Sequence, residues 1–303
     1  MKYGITRLAP GPKNVVPIER IDFESIRDAT KALVSLLLIE SDYDILLSNY
    51  IDLEKAALSL AVESFVRAPK KRERAHWDQD HRFINRMTAN LLSSARAFID
   101  HTKRHVCSIP GCTGAERDAI RHLFDAERER SLSYRVIEAL RNYAQHYGLP
   151  SQSISFGFRW VGSGQTEEEE RLLSYVSPSL LVEYLRSDPK FQKLVLDELE
   201  ASHGKDVPLL PLVREYVSSL SSINDEVRRS YRLRKNTWCE GLEKWAGRCP
   251  GEGGIANVVA VVMDERDNIT DEIHLGLELR RRLDFLENTN RRLTNLHKLQ
   301  VIN

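Results

Sequence analysis

The sequence has no long hydrophobic run, no excess of charge of either sign, no paired cysteine motif and no internal repeat. Its most apolar stretch, residues 33–39, is interrupted by Ser35 and falls far short of the roughly 20 residues a helix needs to cross a bilayer, so no membrane span is expected. Residues 1–17 hold Pro and Gly but no apolar core behind a basic start, which argues against a secretory leader. Lys plus Arg and Asp plus Glu number 44 each. That balance excludes the global positive field of a protein that coats nucleic acid nonspecifically. Four cysteines, Cys107, Cys112, Cys239 and Cys249, lack any close CxxC pairing and point to reduced thiols in a cytoplasm. Gly162-Ser163-Gly164 and Gly251-Glu252-Gly253-Gly254 lack the lysine and strand-to-helix context of a phosphate loop and read as turns.

What is present is a chain of 303 residues with 42% hydrophobic content, enough for one large or two ordinary domains. Basic residues concentrate in the first half, at Arg67, Lys70, Lys71, Arg72 and Arg74 and along Arg121, Arg128, Arg130 and Arg135, whereas the acidic run Glu167-Glu168-Glu169-Glu170 lies in the second. Between Ile21 and His146 apolar residues recur at helical spacing, and the breaks are turn chemistry rather than strand signals. The pattern predicts helices over about 23–39, from 41 to the stop at Pro69, over 79–105, over 115–130, and from a cap at Ser131 or Ser133 to His146, ended by Gly148 and Pro150. After Pro150 the composition changes. Residues 153–161 alternate like a strand and 255–263 form a β-branched run that 271–279 is expected to pair with; helices are expected near 179–185, 189–201, 208–219, 225–245 and 279–299. The expected architecture is mainly α: an N-terminal arm (1–20), a helical bundle (21–150) and a smaller α+β domain (151–303).

The most informative segment is Leu140-Arg141-Asn142-Tyr143-Ala144-Gln145-His146 at the end of the bundle. Arginine offers a planar fork of donors that matches a phosphate, and histidine moves a proton near neutrality. Together they supply what cleavage of RNA requires, because RNA carries its own nucleophile in the 2′-hydroxyl. An arginine followed by four to six residues and a histidine also occurs at Arg74/His81, Arg96/His101, Arg117/His122 and Arg292/His297. The Arg141 copy differs in having an uncharged amide next to the arginine and a Gly-x-Pro stop close after the histidine. In its nearest rival, Asp118 would put negative charge where a phosphate must sit. On a helix, Asn142 and His146 share a face and Arg141 flanks them by about a quarter turn. Two copies of that helix across a two-fold axis would let the arginine of one subunit meet the histidine of the other.

At this motif, placed at the close of an all-helical N-terminal unit, the chain resembles the HEPN superfamily over about 21–150. The resemblance implies a metal-independent endoribonuclease that acts as a homodimer without a cofactor, of the kind found in toxin–antitoxin and antiphage systems, with an antitoxin or regulatory protein as a further partner. Carried over, Arg141 holds the scissile phosphate, His146 transfers protons, and Asn142 orients the histidine or the phosphate. Some bundles of the superfamily are inactive and serve as dimeric RNA-binding, regulatory or sensor units, which is the alternative reading.

Each assignment has a plainer counterpart. Arg141 and His146 also suit a helix C-terminus through the macrodipole. Tyr143 is assigned to stacking on an RNA base, against burial in the bundle. Lys70, Lys71 and Arg72 are assigned to RNA contact, against a solvated linker. His76, Asp78, Asp80 and His81 form a metal-like cluster in which the aspartates equally serve as helix caps. Cys107 and Cys112 with His101 or His105 match no usual zinc spacing, so no metal is assigned.

Overall fold

A computed structural model describes residues 1–8, 14–66, 74–161, 171–249 and 257–298. The candidate RNA-contact residues Lys70, Lys71 and Arg72, both glycine-rich turns and the acidic run lie outside the described residues. The protein is mainly α, with a long helical N-terminal region and two small antiparallel sheets. Among the described residues no helix is long and apolar enough to cross a membrane.

The chain forms two compact units, each assembled from separate stretches of sequence: residues 1–44, 100–121 and 224–291 make the first, and 45–99, 122–223 and 292–303 the second. Helix α1 (Arg20–Val66) contributes to both, as do α2 (Arg74–Ser108), α3 (Gly114–Arg130) and α7 (Leu209–Gly247).

α1 is continuous where the sequence pattern suggests two helices meeting at residue 40. It contains neither Gly nor Pro, and the apparent breaker Ser41 turns its hydroxyl back onto the Leu37 carbonyl at 2.7 Å, so nothing interrupts the ladder. α7 likewise runs through the serine-rich stretch 218–222. Ser222 returns a hydrogen bond to the Ser218 carbonyl at 3.0 Å, and Pro211 sits in the first turn, where no amide donor is needed.

In the first unit, strands β1 (Lys2–Arg7), β2 (Val16–Ile18), β6 (Val258–Met263) and β7 (Ile269–His274) form a sheet in the order β2-β1-β6-β7. The segment expected as an arm therefore supplies two strands. Every residue of β6 is buried, and Val259, Val261 and Met263 form an apolar cluster with Leu8, Val15 and Ile269. The β6–β7 turn is shaped by Asp264, whose carboxylate accepts from the backbone amides of Arg266 and Asn268 at 2.8 and 2.9 Å, and Asp267 takes the left-handed region at φ 61°. The helical part of this unit buries Ile26, Leu33 and Leu37 of α1 with Val227, Tyr231 and Leu242 of α7 and Leu279 and Leu283 of α8 (Glu278–Thr289).

In the second unit, β3 (Ser153–Val161), β4 (Arg171–Leu181) and β5 (Asp206–Pro208) form a sheet with β4 in the centre. Residues 179–181, expected to be helical, end β4, and only the short α5 (Val182–Leu185) follows. Pro178 is tolerated there because β5 pairs with β4 only from Ser179 onward, leaving the proline with β3 on one side. The helical core gathers Leu46, Leu53 and Leu60 of α1, Leu91 and Phe98 of α2, Ile137 and Leu140 of α4 (Leu132–His146), Leu199 of α6 (Lys193–His203), and Tyr216 and Leu220 of α7.

Candidate active site

The helix that carries the arginine–histidine motif, α4, begins at Ser131, whose hydroxyl oxygen accepts the Tyr134 amide at 3.2 Å. Two charge-assisted bonds fix this end: the hydroxyls of Ser131 and Ser133 donate to the two carboxylate oxygens of Glu215 at 3.0 and 2.7 Å. Tyr134, Val136, Ile137, Leu140 and Tyr143 line the buried face, a spacing of three and four residues. The opposite end closes when the amides of Tyr147 and Gly148 both donate to the Tyr143 carbonyl, at 2.8 and 3.1 Å. A Cβ at Gly148 would lie 2.7 Å from the Tyr143 hydroxyl, so this close approach requires glycine.

The motif residues separate as the helical period dictates. Asn142 and His146 are both exposed and line one cleft of about 410 Å³; Arg141 does not line it. Arg141 is half-buried, with Nη1 donating to Asn142 Oδ1 at 3.0 Å, while its Nε is buried without a hydrogen-bond partner among the described residues. No carboxylate among the described residues pairs with this guanidinium. Tyr143 is buried, its ring centroid 5.3 Å from that of Tyr147 and 6.4 Å from that of Phe191. Burial raises its phenol above the usual range, and packing withdraws the ring from the base stacking assigned to it.

The cleft is walled by α4 and by residues 188–192, joined where the Tyr147 hydroxyl donates to the Ser187 carbonyl at 2.8 Å. Its basic residues are Arg96, Arg128, Arg135 and Lys190. Two of these already meet carboxylates. Arg96 reaches Glu138 at 3.2 Å, and Arg135 donates from Nη2 to both oxygens of Glu198 at 2.6 and 2.7 Å. Arg128 and Lys190 are exposed and make no side-chain ion pair among the described residues. Lys190 was not legible as a site residue: its only local signal is a charge next to turn chemistry, and it takes the fold to bring it to His146, whereas Tyr147 follows His146 directly in the chain.

The rival arginine–histidine pairs fare differently. His81 is held with Nε2 2.9 Å from the Ser151 carbonyl oxygen, Arg96 is taken by Glu138, and His101 lies 3.0 Å from Asp42. Arg117 and His122 are exposed on α3. Other arginines are neutralised more deeply still: Arg214 is paired with both oxygens of Glu54 and Arg228 with both oxygens of Glu40.

The metal-like residues 76–81 do not converge. Among the described residues the one group of His, Cys, Asp or Glu with converging ligand atoms is Asp42, His101 and His105. Cys112 instead places its sulfur 3.6 Å from the Tyr231 hydroxyl, and Cys107 is exposed. No family model, curated protein or solved structure matches the chain.

Proposed function

We propose that this chain is a metal-independent endoribonuclease of the HEPN type, working in the cytoplasm as a homodimer and serving as a toxin or antiphage effector. The observation that carries the reading is Arg141. A half-buried guanidinium with no carboxylate partner among the described residues is costly unless an anion joins it, and the exposed imidazole of His146 sits on the same helix end. A phosphodiester supplies that anion. In the reaction the 2′-oxygen of one ribose attacks phosphorus, the bond to the 5′-oxygen of the next nucleotide breaks, and a cyclic phosphate and a 5′-hydroxyl result. Arg141 holds the phosphate and offsets the charge growing on its oxygens. His146 transfers a proton to or from the reacting oxygens, and Asn142 orients the arginine through the bond they already share. Arg128 and Lys190 attract the strand to the cleft beside His146.

The test uses purified protein with single-stranded RNA in EDTA. Wild type cleaves, and Arg141→Ala and His146→Ala each lose at least about a hundredfold of the rate. Equal cleavage by the variants, or a strict need for a divalent ion, overturns the reading.

A second reading, a non-catalytic dimeric RNA-binding or sensor protein, is favoured by one observation: Arg141 does not line the cleft that holds His146. RNA binding without cleavage, together with growth unaffected by expression, would select it.

A further inference from the structure

Asp42 of α1 and His101 and His105 of α2 belong to the first unit and take no part in the chemistry proposed above. His101 and His105 are one helical turn apart, so both rings leave α2 on the same side; their centroids are 6.0 Å apart and inclined at 74°. Asp42 comes from the other helix, with Oδ2 3.0 Å from His101 Nδ1. One ligand atom from each residue lies within 4.8 Å of the other two. Around a tetrahedral zinc ion with bonds of about 2.0–2.1 Å, neighbouring ligand atoms stand roughly 3.4 Å apart, so the observed triangle brackets the spacing that such an ion imposes.

From this we propose that Asp42, His101 and His105 form a binding site for a divalent transition-metal ion, zinc in the first instance, that clamps α1 to α2. The ligand types choose the class of ion. Two imidazole nitrogens and one carboxylate suit zinc, cobalt or nickel, whereas magnesium and calcium take oxygen ligands. All three residues are half-buried, which excludes much of the competing water yet leaves a route for the ion from solvent. Three protein ligands leave a fourth position for water or an added ligand. The alternative occupant of this space is a plain Asp–His hydrogen bond, and the two differ in their response to added metal.

The experiment strips the full-length protein with chelator, removes the chelator, and titrates zinc by calorimetry and cobalt by visible absorption. Wild type takes up one ion per chain, cobalt develops the intense visible bands of a tetrahedral nitrogen–oxygen site, and zinc raises the melting temperature. His105→Gln, His101→Gln and the near-isosteric Asp42→Asn each weaken zinc binding at least about tenfold, and His203→Gln, an exposed histidine of α6 in the other unit, binds as wild type does. Failure of wild type to bind, affinity unchanged in Asp42→Asn and His105→Gln, or a cobalt spectrum that stays that of the hydrated ion overturns the proposal. Neither measurement involves RNA, so a negative result leaves the nuclease reading standing, and a failed nuclease assay leaves the metal site standing.

Discussion

Arg141 differs from the carboxylate-paired arginines of the second unit in its company rather than its position. Arg214, Arg135 and Arg186 each have carboxylates within 2.7 Å, whereas the bonded partner of Arg141 is a neutral amide oxygen at 3.0 Å. A neutral acceptor orients the fork without cancelling its charge, leaving the guanidinium able to accept an anion. Planarity is then the property that matters. Arg141→Lys keeps the charge but loses the bidentate fork, and the expected result is a fall in RNA cleavage on the order of a hundredfold with an unchanged thermal midpoint. Single-turnover kinetics beside a melting curve check this. Cleavage within a few-fold of wild type would mean that charge alone suffices.

Local rules suffice to start α3. The Thr113 amide donates to Glu116 Oε2 at 2.8 Å and the Glu116 amide donates to Thr113 Oγ1 at 3.2 Å, a reciprocal cap that satisfies two donors at once. The Thr113 amide is the main cause holding the Glu116 carboxyl below the ordinary glutamate range, and Arg234 adds to it. Because the folded value is depressed, this contribution is present above the unfolded value of 4.5 and is lost as pH falls through the folded one. Thr113→Ala is expected to cost about 1 kcal/mol in urea unfolding at neutral pH. Glu116→Gln removes part of the pH dependence below pH 4.5 and leaves the rest of the profile as in wild type; an acid limb identical to that of wild type would show that the cap does not titrate with folding. Element boundaries were legible to the same degree as such caps. The end of α4 before Gly148 follows from adjacent residues, and its start was narrowed to Ser131 or Ser133, of which Ser131 is the cap; the continuity of α1 through Ser41 turned on whether a hydroxyl bonds backward or caps forward, which spacing alone does not distinguish.

For the whole molecule, the proposed dimer makes a prediction that no single-chain site shares. If the arginine of one subunit works with the histidine of the other, mixing inactive Arg141→Ala with inactive His146→Ala protein and allowing exchange restores one intact site in each heterodimer. About half of the wild-type rate per heterodimer is expected, since one composite site in two is complete. A mixture as dead as its components, at a concentration where light scattering shows dimers, would place both residues in one chain. The same assay separates the nuclease from a dimeric regulator, which regains nothing on mixing.

The sequence by itself determined the mainly helical character, the approximate course of α2, α3 and α4, and the placement of Asn142 and His146 on one face, because helices obey spacings of three and four residues that lie side by side in the chain. Tertiary structure decided the rest. It paired β1 with β6 across most of the chain's length, joined Asp42 to His101 and His105, brought Lys190 to His146, and decided which arginines meet a carboxylate. Strand ladders, ion pairs and converging ligands join residues far apart in sequence, so their partners are selected by which apolar faces are buried together, and no local spacing records that choice.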